Sequence, residues 1–277
     1  SIGVGVVGAA MLSGAKKASE IQSEYKLISN NLVTNGEKQV EVTKNVAQMQ
    51  KDGAKYSVEY GKSQKSISEQ YLELAKRGYT STEALGAMKS MLQASIASGD
   101  DFNDVVSVSA QTIDSFGMRT ENTAKMTKNS KKVVNELSYS ADETATSFQQ
   151  LGKGMEYVGD VSHNAGFKLS ETSAAMGELS NHGLEADKAG TGLRKAIVSL
   201  AQPSAQATSA LKSIGISSTN VFKDANGNFK SLSSIMGTIE SHTKNLGSAQ
   251  QAAVFKAIFG ATGMTAAQIL ATNNKEL

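Results

Sequence analysis

The sequence is punctuated. Time after time a Ser or Thr stands three residues ahead of a Glu or Gln, an apolar stripe at helical spacing follows, and a Gly closes the segment. A hydroxyl at the N-cap accepts a backbone N–H from the first turn, and the acidic or amide side chain reaches back to the cap's own N–H. Glycine ends helices because it enters the left-handed region without a steric cost. A chain with this punctuation folds into many separate helices of ordinary length, each with one face to bury.

The segments can be read one by one. Ser66-Ile67-Ser68-Glu69 opens a helix with Ile67, Tyr71 and Leu74 on one face, closed by Gly78. Thr80-Ser81-Thr82-Glu83 opens the next, carrying Leu85, Met88, Leu92 and Ile96 and closed by Gly99. Asp101 precedes Phe102, Val105, Val106, Ile113 and Phe116, stopped by Gly117. Ser140-Ala141-Asp142-Glu143 is expected to open a helix with Phe148, Leu151, Met155 and Val158, stopped by Gly159. Ser248-Ala249-Gln250-Gln251 opens one with Val254, Phe255, Ile258 and Phe259, stopped by Gly260. Residues 9–60 are more polar; Asn35-Gly36 divides them, and the second half carries Val40, Val46 and Met49.

Composition agrees with an all-α fold. There is one Pro in 277 residues, no Trp, and only 5% aromatic content against 39% apolar. The core is therefore built from Ala, Leu, Ile, Val and Met. The reading is an irregular bundle of short amphipathic helices, with one exception. Asn226-Gly227 lies between short apolar pairs in residues 221–230, which predicts a small two-stranded β-hairpin there. Two regions are expected: an N-terminal helical segment over 1–60 and a helical core over 61–277.

Several function classes lose support at this stage. The chain has no Cys, so disulfides, thiolate nucleophiles and sulfur metal sites are all absent. Its formal net charge is +2 with both signs interspersed, unlike the basic stripe of a nucleic-acid reader. No specific nucleic-acid recognition is expected. His163, His182 and His242 are scattered, without the i, i+4 pair of a zinc helix, and read as surface or turn residues. Asp100, Asp101 and Asp104 sit where a helix N-terminus favours negative charge, and capping accounts for them. Asp224 to Asn228 resembles a calcium loop, but its Gly comes too early for that spacing, and a turn is the better reading. No catalytic residue, metal site or cofactor is expected, and the chain reads as a non-enzyme.

The run Ile2 to Leu12 is apolar and uncharged, shorter than the roughly 20 residues that span a bilayer. It is either the start of a buried helix or the tail of a membrane-active segment. Both chain ends read as interior sequence, so a piece of a longer protein is expected.

Gly190-Thr191-Gly192-Leu193-Arg194 could pass for a phosphate-binding loop, yet no strand precedes it and the Lys-Ser/Thr ending is missing. It reads better as a helix–helix contact in which the glycines permit close crossing, with Arg194 at the helix surface. The same stretch carries a resemblance. Ala189-Gly190-Thr191-Gly192-Leu193-Arg194, leading into Leu200 and Pro203, resembles a signature of bacteriophage tail tape-measure proteins of the long-tailed siphophage type. Ala210 to Ile216 with Gly215, Asp224 to Leu232, and Ile258-Phe259-Gly260 resemble further elements of that family in the same order. Leu74 to Tyr79 and Asp114 to Met118 extend the resemblance upstream, to about residues 60–270.

The resemblance implies a structural virion protein that occupies the tail tube lumen, helps set tail length during assembly and is released during genome ejection. It implies several copies of the chain, with the tail tube protein, tail assembly chaperones and distal tail or baseplate proteins as partners, and possible contact with the host membrane. The implied locations are the virion, the host cytoplasm during assembly and the host envelope during ejection. The alternative is a membrane-inserting helical pore or translocation module for DNA delivery, with residues 2–12 as its anchor. Short, separately capped helices suit a compact station on the tape, with the ruler shaft outside these residues.

Overall fold

A computed structural model describes residues 3–277, with side chains from Lys16 onward. Of the apolar run over 2–12, residues 3–12 belong to the first helix; Ile2 and the side chains of the run lie outside the described residues. The helices in chain order are α1 (Gly3–Thr34), α2 (Gln39–Tyr60), α3 (Gln64–Lys76), α4 (Ser81–Ser98), α5 (Phe102–Ser115) and α6 (Thr123–Glu143). They continue with α7 (Phe148–Asn164), α8 (Leu169–Asn181), α9 (Ala186–Ala201), α10 (Ala205–Ser213), α11 (Leu232–Thr243) and α12 (Ser248–Thr272). Short 3-10 turns occupy Thr219–Phe222 and Asn274–Glu276. The fold is all-α, as expected.

Two compact units are present: residues 1–110 with 119–131, and residues 111–118 with 132–277. In the first unit α1 packs on α3, and α2 on both α3 and α4. Tyr25, Ile28 and Leu32 of α1, Val42, Val46 and Met49 of α2, and Ile67, Tyr71 and Leu74 of α3 are buried. In the second unit α9 lies against α7, α8 and α12, and α12 also packs on α10 and α11.

The capping expected at Thr80 and at Asp101 forms. At Thr80 the full reciprocal pair forms: Glu83 N–H donates to Thr80 Oγ1 at 3.3 Å, and Thr80 N–H donates to Glu83 Oε2 at 2.9 Å. Asp101 Oδ1 accepts from Asn103 and Asp104 N–H at 2.9 and 3.3 Å. Most of the glycine closures share one geometry, while Gly61 and Gly99 close α2 and α4 with a single N–H bond to Ser57 O and Ser95 O. After Gly78, Tyr79 N–H donates to Leu74 C=O at 3.0 Å, and the same five-residue return closes α1, α5, α7, α8 and α10. Each return satisfies carbonyls that the helix end leaves unpaired.

Besides the hairpin, six details differ from the sequence expectations, the first being that Gly247 and not Ser248 stands at the N-cap of α12, with no side-chain cap bond. The helix expected from Ser66 begins earlier, because Ser63 takes the cap and accepts from Ser66 N–H at 3.0 Å. Ser140 to Glu143 ends α6 instead of opening a helix; Ser147 caps α7, accepting from Gln150 N–H at 3.2 Å. Gly159 does not stop α7 but lies buried within it, where an added Cβ would stand 2.8 Å from Ser115 Cβ. On α2, Val40 is 84% exposed and Val42 faces inward instead. On α4, Ile96 is exposed, and the buried face runs through Ala84, Ala87, Met88 and Met91.

The predicted hairpin is reduced to one antiparallel bridge, Lys223 with Phe229, and Val221 falls in a 3-10 turn. Gly227 N–H donates to Asp224 C=O at 3.1 Å, so Asn226-Gly227 fills the last two places of the turn. Only Gly227 has positive φ there, at 85°. The type I′ turn that Asn-Gly favours needs positive φ at both central residues, and Asn226 does not adopt it. The carboxylate of Asp224 accepts N–H bonds from Asn226 and Asn228, both at 2.9 Å, which pulls the chain into a compact loop. Those backbone bonds, that of Asn228 foremost, lower the Asp224 pKa.

Candidate functional site

The residues singled out from the sequence converge on α9, which runs through the second unit. Its spacing places Ala189, Leu193, Ala196, Ile197 and Leu200 in the core, with Leu193 fully buried. The N-cap is Glu185, which makes no side-chain cap bond, and Asp187 supplies negative charge to the first turn. Lys188 pairs with Glu185 at 3.0 Å on the surface, and that hydrogen bond raises the lysine pKa.

The two glycines of the motif face different neighbours. A Cβ on Gly190 would stand 2.5 Å from Gly154 O and 3.1 Å from Gly154 Cα, so α9 crosses α7 with backbone against backbone. A Cβ on Gly192 would stand 2.9 Å from Ala266 Cβ, on α12. Gly154 in turn receives the Met176 methyl of α8. Gly263 of α12 closes the arrangement, with Lys195 Cγ and Ala196 N at 3.2 and 3.3 Å from its built Cβ. Small residues on two sides of α9 thus let α7 and α12 each approach it closely.

The other motif residues divide between packing and surface. Leu200 is buried near the end of α9, and Pro203 sits half-buried in the linker to α10. Gln202 before it stands at φ −135° and ψ 72°, outside the α region that a following proline disfavours. Phe259 is fully buried on α12, 5.8 Å from the Phe255 ring. Gly260 interrupts the helix as expected, at φ 72° and ψ 175°, and a second helical stretch of α12 continues beyond the kink. Gly215 lies apart at the end of α10, where His242 Nδ1 meets Ile214 O at 2.8 Å.

Two motif side chains remain outside the core. Thr191 is half-buried and lines an open recess of about 350 Å³ with Leu184, Asp187, Lys188, Thr262 and Thr265. Arg194 is exposed. The three His are exposed as well, each in the last turn or at the C-cap of its helix. His182 adds a polar contact not seen in the sequence: its Nε2 lies 3.0 Å from Glu178 Oε1 and 3.1 Å from Asn273 Nδ2. Gly154 and Ala266 also went unread, because a glycine or alanine inside an amphipathic helix carries no signal of which neighbour it admits.

Comparison with known proteins agrees with this core. A family model described as phage-related minor tail protein matches residues 50–260. The chain is 35% identical over 138 residues to the probable tape measure protein of Escherichia phage P2, covering 49% of this chain and 16% of that protein. It is 27% identical over 173 residues to the tape measure protein of Pneumococcus phage Dp-1, covering 62% of this chain and 14% of that one. The chain thus spans about one-sixth of the length of the curated relatives it matches. No solved structure matches it. With the match running from α2 through the kink of α12, the chain belongs to the phage-related minor tail protein family.

Proposed function

We propose that this chain is a structural region of a tail tape-measure protein and performs no catalysis. The observation that carries the reading is the family match over residues 50–260, together with relatives that are themselves tape measure proteins. In this reading the chain is a tail component of the virion. It occupies the tube lumen in several copies, contributes to tail length during assembly and leaves during genome ejection. Its partners are further copies, the tail tube protein, assembly chaperones and the distal tail or baseplate. The glycine crossings suit such a role by making slender helical packing from small side chains.

The region acts as a compact station and not as a proportional ruler. An extended helix adds about 1.5 Å per residue, so a ruler segment shortens the tail in proportion when cut. Deleting residues 183–203, which removes most of α9, is expected to abort assembly or infectivity. Electron microscopy of the deletion phage gives the answer. A viable phage with a proportionately shorter tail overturns the station reading, and normal tails of unchanged length overturn the structural role of this region.

A second reading, a membrane-inserting module, draws on α12, which is long and apolar enough to cross a bilayer, with 44% of its apolar window buried. The apolar run over 2–12 points the same way. Leakage of liposomes by the chain, lost in Val6→Asp with Val7→Asp, supports an anchor at residues 2–12. Leakage that survives the double change moves the activity to α12, and no leakage removes this reading.

A further inference from the structure

We infer that Asn226 is a site of spontaneous covalent modification, and that the fold directs this chemistry to Asn226 and away from Asn35. The chain holds two Asn-Gly pairs, Asn35-Gly36 and Asn226-Gly227. Such pairs share a reaction in which the backbone nitrogen of the glycine attacks the asparagine carboxamide. Glycine is the most permissive successor because no Cβ obstructs the approach. What differs between the two is how the asparagine side chain is held.

At the end of α1, Asn35 Nδ2 donates to Ala75 O at 2.8 Å, tying its carboxamide to α3. Its successors are tied as well, Gly36 N–H to Val33 O at 3.0 Å and Glu37 N–H to Leu32 O at 3.1 Å. To react, Asn35 must release Ala75. Asn226 sits at the exposed tip of the loop between Lys223 and Phe229, and its carboxamide makes no hydrogen bond among the described residues. A Cβ built on Gly227 meets nothing within 4 Å, so no neighbour crowds the loop beside the Gly227 Cα. The Gly227 N–H donates to Asp224 O at 3.1 Å and also faces the Asp224 carboxylate, so the contrast with Asn35 lies in the untied carboxamide of Asn226.

The step balances without a further reagent except water. A base removes the Gly227 amide proton, and the nitrogen attacks Cγ of Asn226. The new N–Cγ bond forms as the Cγ–Nδ2 bond breaks, and ammonia leaves carrying the proton. Water then opens the five-membered imide at either carbonyl, leaving aspartate or isoaspartate at position 226. Either product lowers the formal net charge of +2 by one.

The product does not fit the loop that made it. A second carboxylate faces Asp224, whose own oxygens accept from Asn226 and Asn228 N–H. Isoaspartate also adds a methylene to the backbone between Lys223 and Phe229. The bridge between them shifts register, and Phe229 moves off Phe167, on which its ring is stacked at 5.8 Å. The Phe229 side of the groove beside Val161 and Ile197 changes with it.

The test is timed incubation of the folded chain at neutral and mildly alkaline pH, followed by tryptic mapping. Cleavage after Lys223 and Lys230 isolates the Asn226 peptide, and cleavage after Lys26 and Lys38 isolates the Asn35 peptide. Fragmentation places the modified residue, and an isoaspartyl methyltransferase labels the isoaspartate fraction. The rate at Asn226 is expected to rise with pH and to exceed that at Asn35 by about fivefold or more, the equivalent of one hydrogen bond of about 1 kcal/mol. In urea the two rates converge, because the fold no longer holds Asn35. Asn226→Gln removes the labelled product from its peptide and leaves Asn35 unchanged. Equal rates in the folded chain overturn the inference, as does a difference that persists in urea.

Discussion

Gly190 of α9 rests on the peptide of Gly154 of α7, so closely that a methyl group on Gly190 would stand 2.5 Å from the Gly154 oxygen. Backbone cannot yield as a side-chain end can. Gly190→Ala raises helix propensity by about 1 kcal/mol, but overpacking costs about 1–3 kcal/mol and more where the obstacle is main chain. Packing wins. The variant is expected to lose about 1–2 kcal/mol in urea unfolding with unchanged slope. Added stability would show that the crossing is looser than the structure has it.

Glu83 serves two structures at once. It accepts Thr80 N–H to cap α4, and it accepts from the Arg119 guanidinium, with a closest contact of 2.6 Å. Arg119 also donates to Gly78 O and lies 4.3 Å over the Tyr79 ring. The glutamate side chain is 6% exposed and the arginine 32%, so the pair is partly screened. Glu83→Ala is expected to cost about 3 kcal/mol, the lower end for breaking a buried pair, plus the loss of a cap bond. Glu83→Gln keeps an acceptor for Thr80 and is expected to cost less. Equal losses in the two variants would mean that the charge contributes nothing.

The first unit is expected to be base-labile. Burial, reinforced by the charge of Asp52, pushes the Tyr25 and Tyr56 pKa values up to about 12, and burial pushes Tyr71 well above the ordinary 10. The folded state therefore holds these protons more tightly than the unfolded chain does. The stability this contributes is fully present below pH 10 and is lost as pH rises through about 12. Circular dichroism against pH should show the loss in that window. Asp52→Asn should lower the Tyr25 and Tyr56 pKa values, as read from tyrosinate absorbance; no movement would remove the carboxylate from the account.

Tyr71 adds a separate expectation. Its hydroxyl is buried and meets no partner among the described residues. An unsatisfied buried hydroxyl costs about 1–3 kcal/mol, so Tyr71→Phe, which keeps the ring, should leave stability unchanged or raise it. A loss above about 1 kcal/mol would show that the hydroxyl is satisfied.

How far the fold could be read ahead depended on whether the deciding contact was local. Thr80 with Glu83 and the closures at Gly78, Gly99 and Gly117 were legible, because a cap is settled within six residues of chain. Ser140 misled because Ser147 offers the same chemistry seven residues on, and only the packing of Phe148 and Leu151 decides between them. Val40 misled because α2 buries a face only where a neighbour lies against it. At the candidate site, Gly190 and Gly192 were readable as crossing points. Their opposites, Gly154 and Ala266, were not, since nothing in one helix names the helix that meets it.

Gly260 offers the last prediction. The residues buried before it are Val254, Phe255, Ile258 and Phe259; those after it are Gly263, Ala266, Ala267, Leu270 and Ala271. On a straight helix of 3.6 residues per turn the mean directions of these two sets would differ by about 120°. A straight α12 could not bury both. The break at φ 72° and ψ 175° re-aims the second half so that Gly263 meets Ala196 and Ala266 meets Gly192. That conformation belongs almost wholly to glycine, and a side chain there costs about 1–3 kcal/mol. Space is not the obstacle, since the nearest atom to a built Cβ is Lys195 Cε at 3.6 Å. Gly260→Ala should therefore destabilise the second unit through backbone strain alone, and Lys195→Ala, which opens more room, should not rescue it. Rescue by the double change would make the constraint at Gly260 steric crowding and leave the kink without its conformational cause.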